Sequence, residues 1–381
     1  DRSVLGGSLQ WEEKVIDGRP ALEWVAGAEQ ELRAASNARV LTRTTAFGCY
    51  DHQLVALSER LGGENHEPLR ERLWHVRAAQ VVIASGAIER PIVFPENDVP
   101  GVMLASAAAS YAVQYAVRPG RRAVLVTSTD SAYEAAAILR SRGIEIAAII
   151  DSRAKPGESA AAAEHAGFAV FAAHTPVRVH GARAVKAIDV RQTADVKGSR
   201  SPLRLGCDLV CVSGGWTPTV HLFSQARGQL RYDPELAALV PAVGPKGFQC
   251  AGAAAGNFAL HQCLPDGFAA GREAAKAAGA RSDAGLAPIG TPERCAVTAF
   301  WACPQVGHRK AWVDFQSDVT RADVELAVRE NLRSVEHLKR YTTTGMAVDQ
   351  GKTSNMNALG ILSELTKVPI SDIGTATFRP P

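Results

Sequence analysis

The stretch RRAVLVTSTDSAYEAAAILRSRGIEIAAIID, residues 121–151, decides the fold. Two short apolar runs flank an alanine-rich segment of helical period, the pattern of two buried parallel strands joined by a crossover helix. In a dinucleotide-binding unit of this kind the first turn reads G-x-G-x-x-G/A; the first glycine makes the turn and the second lets backbone approach a pyrophosphate. Here those positions are Thr127, Thr129 and Ala132. Ala132 fits, but two β-branched side chains stand where phosphates would lie, so the unit reads as a nucleotide domain that has lost its ligand. Asp151 at the end of the second strand has two readings, acceptor for a ribose hydroxyl or plain strand-end acid, and the missing glycines favour the second.

Working outward, the same alternation continues on both sides. Upstream, VVIASGAIERP (81–91) is a buried strand running into a small-residue turn, with Ser85 and Gly86 at the carboxyl edge where open α/β sheets bind ligands. Before it, the pattern predicts a helix over 22–35 and strands near 40–45, 49–57 and 72–78, the last two separated by the polar turn GGENHEPL; after it, a helix over 102–117. Downstream, DLVCVSGGWTPTVHLFSQ (208–225) is a strand, a Gly-Gly turn and a helix, and FQCAGAAAGNFAL (248–260) is a strand entering a small-residue loop before a helix over 268–279. Thr320 and Asp323 form the T-x-x-D of a capping box and should start a helix.

Composition limits the function. With 381 residues and 46% hydrophobic content, the chain can bury cores for two or three domains. A net charge of +3 from 42 basic and 39 acidic residues, with no long basic run, gives no sign of a nucleic-acid partner. The apolar stretches are too short to span a bilayer and no signal peptide opens the sequence, which reads as cytoplasmic. Seven cysteines occur without a CxxC pair, so neither a disulfide framework nor an iron–sulfur or zinc site is indicated. No Ser/His/Asp or metal-ligand constellation is present, and His308 and His337 read as surface or capping residues.

Near the end, KRYTTTGMAVDQGKTSNMN (339–357) crowds cations, hydroxyls and amides ahead of an apolar helical run. Lys352, Thr353 and Ser354 would sit at a helix N-terminus, where phosphate is favoured. The alternative is that Thr353 or Ser354 is only an N-cap, which leaves the lysine and amides unexplained.

Taken in order, VVIASGAIERP, the 127–132 turn and the Gly252 loop resemble an α/β two-dinucleotide-binding architecture (FAD/NAD(P)-binding, Rossmann-like) with a second nucleotide domain inserted into the first. That architecture carries an acid after the loop glycine for the flavin ribityl chain; here it is Ala253, which leaves room for a dinucleotide without that group. The long motifs RTTAFGCYDH, IERPIVFPENDVPGVM, VSGGWTPTVHL and the 311–362 stretch beginning AWVDFQSDVT are similar to the alpha subunit of heterotetrameric sarcosine oxidase, across essentially the whole chain. The resemblance implies a first dinucleotide-binding domain over 1–105 lacking its N-terminal βα unit, and a vestigial inserted domain over 106–205. A return segment over 206–283 and a linker with a small, mainly helical FMN-interface region over 284–381 would complete it. It also implies NAD in this subunit, FAD in the beta subunit, FMN at the alpha–beta interface, tetrahydrofolate in a C-terminal domain, and beta, gamma and delta partners.

The implied reaction is oxidative demethylation of sarcosine to glycine, with hydrogen peroxide and formaldehyde or 5,10-methylenetetrahydrofolate, this chain holding no catalytic residue and being inactive alone. Asp1 falls where the ribose-binding acid is expected, and Gly6 and Gly7 where the chain passes the pyrophosphate. Thr45 and Ala46 would offer backbone to adenine, Ser85, Gly86 and Glu89 line the neighbouring turn, and Gly252 and Ala253 close the pocket. Lys352, Thr353 and Ser354 are the candidates for the FMN phosphate or ring edge. Two departures are expected to mark truncation at both ends: no glycine fingerprint ahead of Asp1, and no folate domain after Pro381. Two other readings stay open: a subunit of a related amine dehydrogenase acting on opines, proline or cyanide precursors, whose tail would carry a cysteine cluster missing here, or a nucleotide-binding assembly module.

Overall fold

Strand Arg122–Thr127, helix Ser131–Ser141 and strand Glu145–Asp151 form the crossover unit that their pattern predicts, with the strands parallel. The computed structural model of the chain describes residues 2–62, 70–195, 199–280, 285–304 and 309–374. Five parallel strands lie in the order Val170–Ala172, Glu145–Asp151, Arg122–Thr127, Leu209–Ser213 and Val102–Leu104. The near-continuous apolar runs are explained by two covered faces. Ala123 and Leu125 pack on the alanine-rich helices Ala105–Gln114 and Ser131–Ser141, while Val124 and Val126 face the antiparallel sheet made by His174–His180, Ala187–Gln192 and Leu203–Gly206.

The rest of the α/β body is assembled around this sheet. Strands Val81–Ile83 and Phe248–Cys250 pair in parallel, and the helix Leu260–Ala277 follows the second. A short antiparallel pair, Ala87–Glu89 with Trp216–Pro218, forms where the chain enters and leaves the inserted sheet. The helices Arg321–Arg329, Val335–Thr342, Asn355–Thr366 and Ile370–Ile373 make the small C-terminal region. Its core takes in Leu338, Leu359, Ile361 and Leu362, but also Trp301, Val93, Ala237 and Leu239 from earlier in the chain. Each large side chain buried there contributes about 1.5–3 kcal/mol, so this region is fused to the body rather than tethered to it. No helix among the described residues is long and apolar enough to cross a membrane.

Two local expectations change. The run 102–117 is not one helix: Val102–Leu104 pairs with Val210, Cys211 and Val212 as an edge strand, and the helix begins at Ala105, where the Glu89 carboxylate receives the Ser106 N–H at 2.8 Å. An apolar run this short cannot be told from helix by periodicity. The strands near 40–45 and 49–57 are instead Thr44–Tyr50 and Leu54–Arg60, which form a meander with Glu71–Arg77. The turn between the first two carries His52 and Gln53 at φ of 60° and 53°, without the glycine or asparagine that would have marked it. Most of the GGENHEPL turn lies outside the described residues, as do Asp1, His308 and Pro381.

The capping box forms: Thr320 N and Oγ1 both donate to the Asp323 carboxylate, at 2.8 and 2.7 Å, at the start of Arg321–Arg329. Thr320→Ala should lower stability by about 1 kcal/mol, read as a shifted urea midpoint with unchanged slope. No shift would mean that tertiary contacts alone fix this helix end.

Candidate functional site

The turn after strand Arg122–Thr127 is closed by a later segment of the same chain. Thr127, Ser128, Thr129 and Asp130 are all buried, and Thr127 Oγ1 both donates to Thr129 O and accepts from Thr129 N, at 2.9 Å each. Across this turn runs the segment 295–298: Asp130 N donates to Ala296 O and Thr298 N to Ser128 O, both at 2.9 Å, and Thr129 bridges Val297. Ala296 N returns a hydrogen bond to Asp130 Oδ2 at 3.1 Å. Backbone that would face a pyrophosphate is therefore paired with protein. Asp151, fully buried, accepts from Tyr133 OH at 2.7 Å and from Arg153 Nη2 at 2.7 Å, while Arg153 Nη1 reaches Asp130 Oδ1 at 2.7 Å. Burial works against the Arg153 charge, but the two carboxylates hold its pKa above the ordinary value; burial and Asp151 together push the Tyr133 phenol up. Asp151 is thus a strand-end acid engaged with an arginine.

The first domain's candidates lie elsewhere. Gly6 and Gly7 have φ of 107° and 54° at the entry to the 3-10 turn Gly7–Gln10; a Cβ on Gly6 would stand 3.0 Å from the Gln10 amide, which itself donates to Leu5 O. Only glycine takes this conformation without strain. Thr45, exposed, and Ala46 pair with Ser58 and Leu57 in the meander. Ser85 Oγ donates to Thr219 O at 2.6 Å, and Thr219 N to Gly86 O at 2.9 Å, so this turn is docked on the Trp216–Pro218 connection. Glu89 is buried and turned into the start of helix Ala105–Gln114; burial raises its pKa, opposed by hydrogen bonds from Ser106 and Ser213. Gly252, at φ 65°, opens the turn Gly252–Ala255 beside the half-buried Ala253, and its N–H donates to Asp266 Oδ2 at 2.6 Å. Asp266, from the following helix, is an acid at this turn that sequence spacing had not indicated.

Sequence reasoning also missed Lys14. Its Nζ lies 2.6 Å from Glu134 Oε1 and 2.8 Å from Glu293 Oε1, tying the loop after Gly7 to the inserted domain and to the segment leading into 295–298. Glu293 in turn accepts from Leu260 N at 3.0 Å, at the start of helix Leu260–Ala277.

In the 339–357 stretch the three candidates separate. Ser354 is buried and its Oγ donates to Asp314 Oδ2 at 3.1 Å, an oxygen that also receives Gly345 N at 2.7 Å. The Asp349 carboxylate accepts from Gly351 N at 3.1 Å and Thr353 Oγ1 at 3.4 Å. The turn's own acids thus hold part of what an anion would take. Lys352 is half-buried; desolvation lowers its pKa and Asp349 partly offsets this. Its charge, after burial, helps press His221 down to about 4. Thr353 lines an apolar cavity of about 150 Å³ with Pro91, Ile92, Met103 and Phe315. His221 lies two residues beyond Thr219, so one short segment links the Ser85–Gly86 turn with Lys352.

The family domain described as the sarcosine oxidase A3 domain matches residues 308–381. The chain is 37% identical to sarcosine oxidase subunit alpha of Rhizobium meliloti (strain 1021) over 99% of its own length and 38% of that protein. It is 38% identical to the subunit alpha of Corynebacterium sp. (strain P-1) over 100% of its length and 41% of that protein. It therefore spans about two-fifths of these curated relatives. Among solved structures, L-proline dehydrogenase from P. horikoshii is similar over 100% of this chain and 71% of that one, at TM-score 0.73 and 19% identity. Thioredoxin reductase of T. acidophilum is similar over 72% and 86%, at TM-score 0.52 and 14% identity. These two likenesses show the fold, and the sequence matches show the lineage: the chain belongs to the sarcosine oxidase alpha-subunit family.

Proposed function

We propose that the chain is the nucleotide-holding part of the alpha subunit of a multi-subunit sarcosine oxidase. The observation that carries this is the similarity, 37% identical along 99% of the chain, to a subunit of that name. The reaction takes sarcosine, oxygen and water to glycine, formaldehyde and hydrogen peroxide; the secondary amine loses two electrons and two protons to become an imine, which water cleaves, and oxygen takes up the same two electrons and two protons as peroxide. With tetrahydrofolate present, the one-carbon unit leaves as 5,10-methylenetetrahydrofolate instead. Beta, gamma and delta subunits complete the assembly, and this chain is inactive alone.

NAD+ would occupy the first domain. Gly6 and Gly7 fit that role because their left-handed backbone has no side chain to keep a pyrophosphate away, with Ser85, Gly86, Gly252 and Ala253 as the opposite wall and Thr45 and Ala46 toward adenine. Glu89 supports this wall from behind, since its carboxylate is engaged by the helix start. The closed 127–132 turn and the Asp151–Arg153 pair favour a single dinucleotide pocket and a vestigial inserted domain.

Lys352, Thr353 and Ser354 would help hold FMN at the interface with beta, where it would supply electron transfer between the FAD of the beta subunit and oxygen. Lys352 fits its phosphate or ring edge: the ammonium is half-desolvated beside His221, so an anion there recovers charge stabilisation that water no longer supplies. Thr353 adds a hydroxyl at the cavity mouth, and Ser354 holds the turn through Asp314.

Coexpressed with its partner subunits, the Lys352→Ala variant should contain FMN well below one per FAD and show reduced sarcosine-dependent peroxide formation. A charge-assisted contact is worth about 1.5–3 kcal/mol, roughly a ten- to hundredfold weaker hold. An unchanged FMN to FAD ratio rejects the role of Lys352. Activity of the wild-type complex on proline but not sarcosine rejects the substrate.

A further inference from the structure

Just past Gly6 and Gly7 the structure gathers three carboxylates around one amine. Ser8 Oγ, in the turn Gly7–Gln10, donates to Glu12 Oε2 at 3.1 Å. Two residues on, Lys14 Nζ contacts Glu134 and Glu293, and the lysine side chain is only 11% exposed. Each neighbouring element adds to the field. Helix Ser131–Ser141 brings Glu134, the segment toward 295–298 brings Glu293 and Cys295, and helix Leu260–Ala277 brings His261, Cys263 and Asp266. His261 Nδ1 accepts from Glu293 N at 3.2 Å, and Asp266 holds Gly252 N. Arg142 and Arg294 pair outside the cluster, with Glu13 and Glu158.

With all acids ionised, the Glu12, Lys14, Glu134 and Glu293 group carries an excess of two negative charges in a half-buried site. Like charges this close disfavour full ionisation. Lys14 makes its ion pairs with Glu134 and Glu293, which leaves Glu12 as the acid that takes the proton. Burial, followed by the Glu134 charge, lifts Glu12 to about 7, with Lys14 and Ser8 opposing only in part.

We propose that Glu12 is a proton-linked positioning residue of the nucleotide site: neutral, it lets the Gly7–Gln10 turn face an anionic dinucleotide, and ionised, it repels that ligand and loosens it. The inference rests on the reading that NAD+ binds at this loop. No network member other than Glu12 touches Ser8 through a hydrogen bond among the described residues, so the effect reaches the turn by that contact.

The test is NAD+ titration calorimetry on the assembled complex between pH 6 and 8, a range in which the pyrophosphate and nicotinamide do not titrate. Wild type should bind about fivefold more weakly at pH 8 than at pH 6, the size expected of one charge several Å away in a partly buried site. Glu12→Gln should hold the pH 6 affinity throughout; the same slope in both proteins overturns the proposal. If neither binds NAD+ at any pH, the nucleotide reading fails separately, and the titration is read from stability instead. A carboxyl raised from 4.5 to about 7 stabilises the fold below 4.5 and loses that contribution as pH climbs through 7, so wild type should fall relative to Glu12→Gln over this window. Parallel curves would overturn the proposal as well. Should Glu12→Gln not fold, Ser8→Ala removes a hydrogen bond that favours the ionised form and must move the midpoint upward; an unmoved midpoint counts against it.

Discussion

Arg153→Leu should destabilise the chain by about 3–5 kcal/mol, the range for breaking a buried ion pair from one side. The guanidinium serves two acids together, Asp151 and Asp130, through contacts of 2.7 Å each, and all three side chains are at most 6% exposed. Leucine fills part of the volume but leaves two carboxylates in a site where water does not reach them. The damage should spread along a defined path. Arg153 Nη1 itself lies 3.2 Å from Ala296 O and Asp130 receives Ala296 N, so the segment that covers the 127–130 turn loses one tie outright and keeps another only on a carboxylate stripped of its arginine. The measurement is a urea midpoint together with limited proteolysis, where new cleavage near 294–298 is expected. A control sets the scale: Arg204 contacts the buried Asp189 from the surface, 63% exposed, and Arg204→Leu should leave the midpoint nearly unchanged. Equal, small effects in the two variants would mean that the Arg153 triad is far wetter than its geometry indicates.

That triad also marks how far the sequence could be read. The unit at 121–151 was legible because strands buried on both faces must be continuously apolar, and Arg122–Thr127 is such a run. The glycine positions were legible for a related reason: Gly6, Gly7, Gly86 and Gly252 all have positive φ, where a side chain is strained. Asp151 stayed open because its partner Tyr133 sits in the preceding helix and its partner Arg153 is shared with Asp130 of the preceding turn, and nothing in the spacing sets these groups against a strand end. The Lys14 cluster was invisible for a stronger reason. Lys14 and Glu134 are 120 residues apart and meet only once the inserted domain is folded against the first. The segment over the 127–130 turn has no periodic pattern, since it bonds through backbone groups that every residue carries. Ser354 was placed correctly at a helix start, yet its hydroxyl turns inward to Asp314, 40 residues earlier. Local pattern thus identified the elements and several glycines whose backbone is left-handed, while the groups that tune charge came from distant segments.

Gly360→Ala should lower stability by about 1–3 kcal/mol, although the same change in an exposed helix would raise it by about 1 kcal/mol. Gly360 lies within Asn355–Thr366, and a Cβ there would stand 2.1 Å from Trp301 Cγ, so the indole rests directly on the helix backbone. Trp301 cannot withdraw. Its other side faces the Arg90 guanidinium, 4.9 Å from the ring centroid, and Arg90 is 1% exposed, with Nη1 donating to Trp216 O at 2.9 Å. Behind Arg90 is Gly215, where a Cβ would meet Nη2 at 2.6 Å. Helix, indole, guanidinium and glycine form one stack joining the C-terminal region to the Trp216–Pro218 connection, and Asn357 Nδ2 clamps it through Pro91 O at 2.9 Å. Adding a methyl group therefore forces a shift along the whole stack, which a close-packed interior resists. A double-mutant cycle isolates the claim. Trp301→Ala alone opens space and costs stability, but in its presence Gly360→Ala should become nearly neutral, because the Cγ and both Cδ atoms that the methyl would meet are gone. If the two losses simply add, the indole is not what the methyl meets, and the proposed coupling between the helical region and the inter-domain connection does not exist.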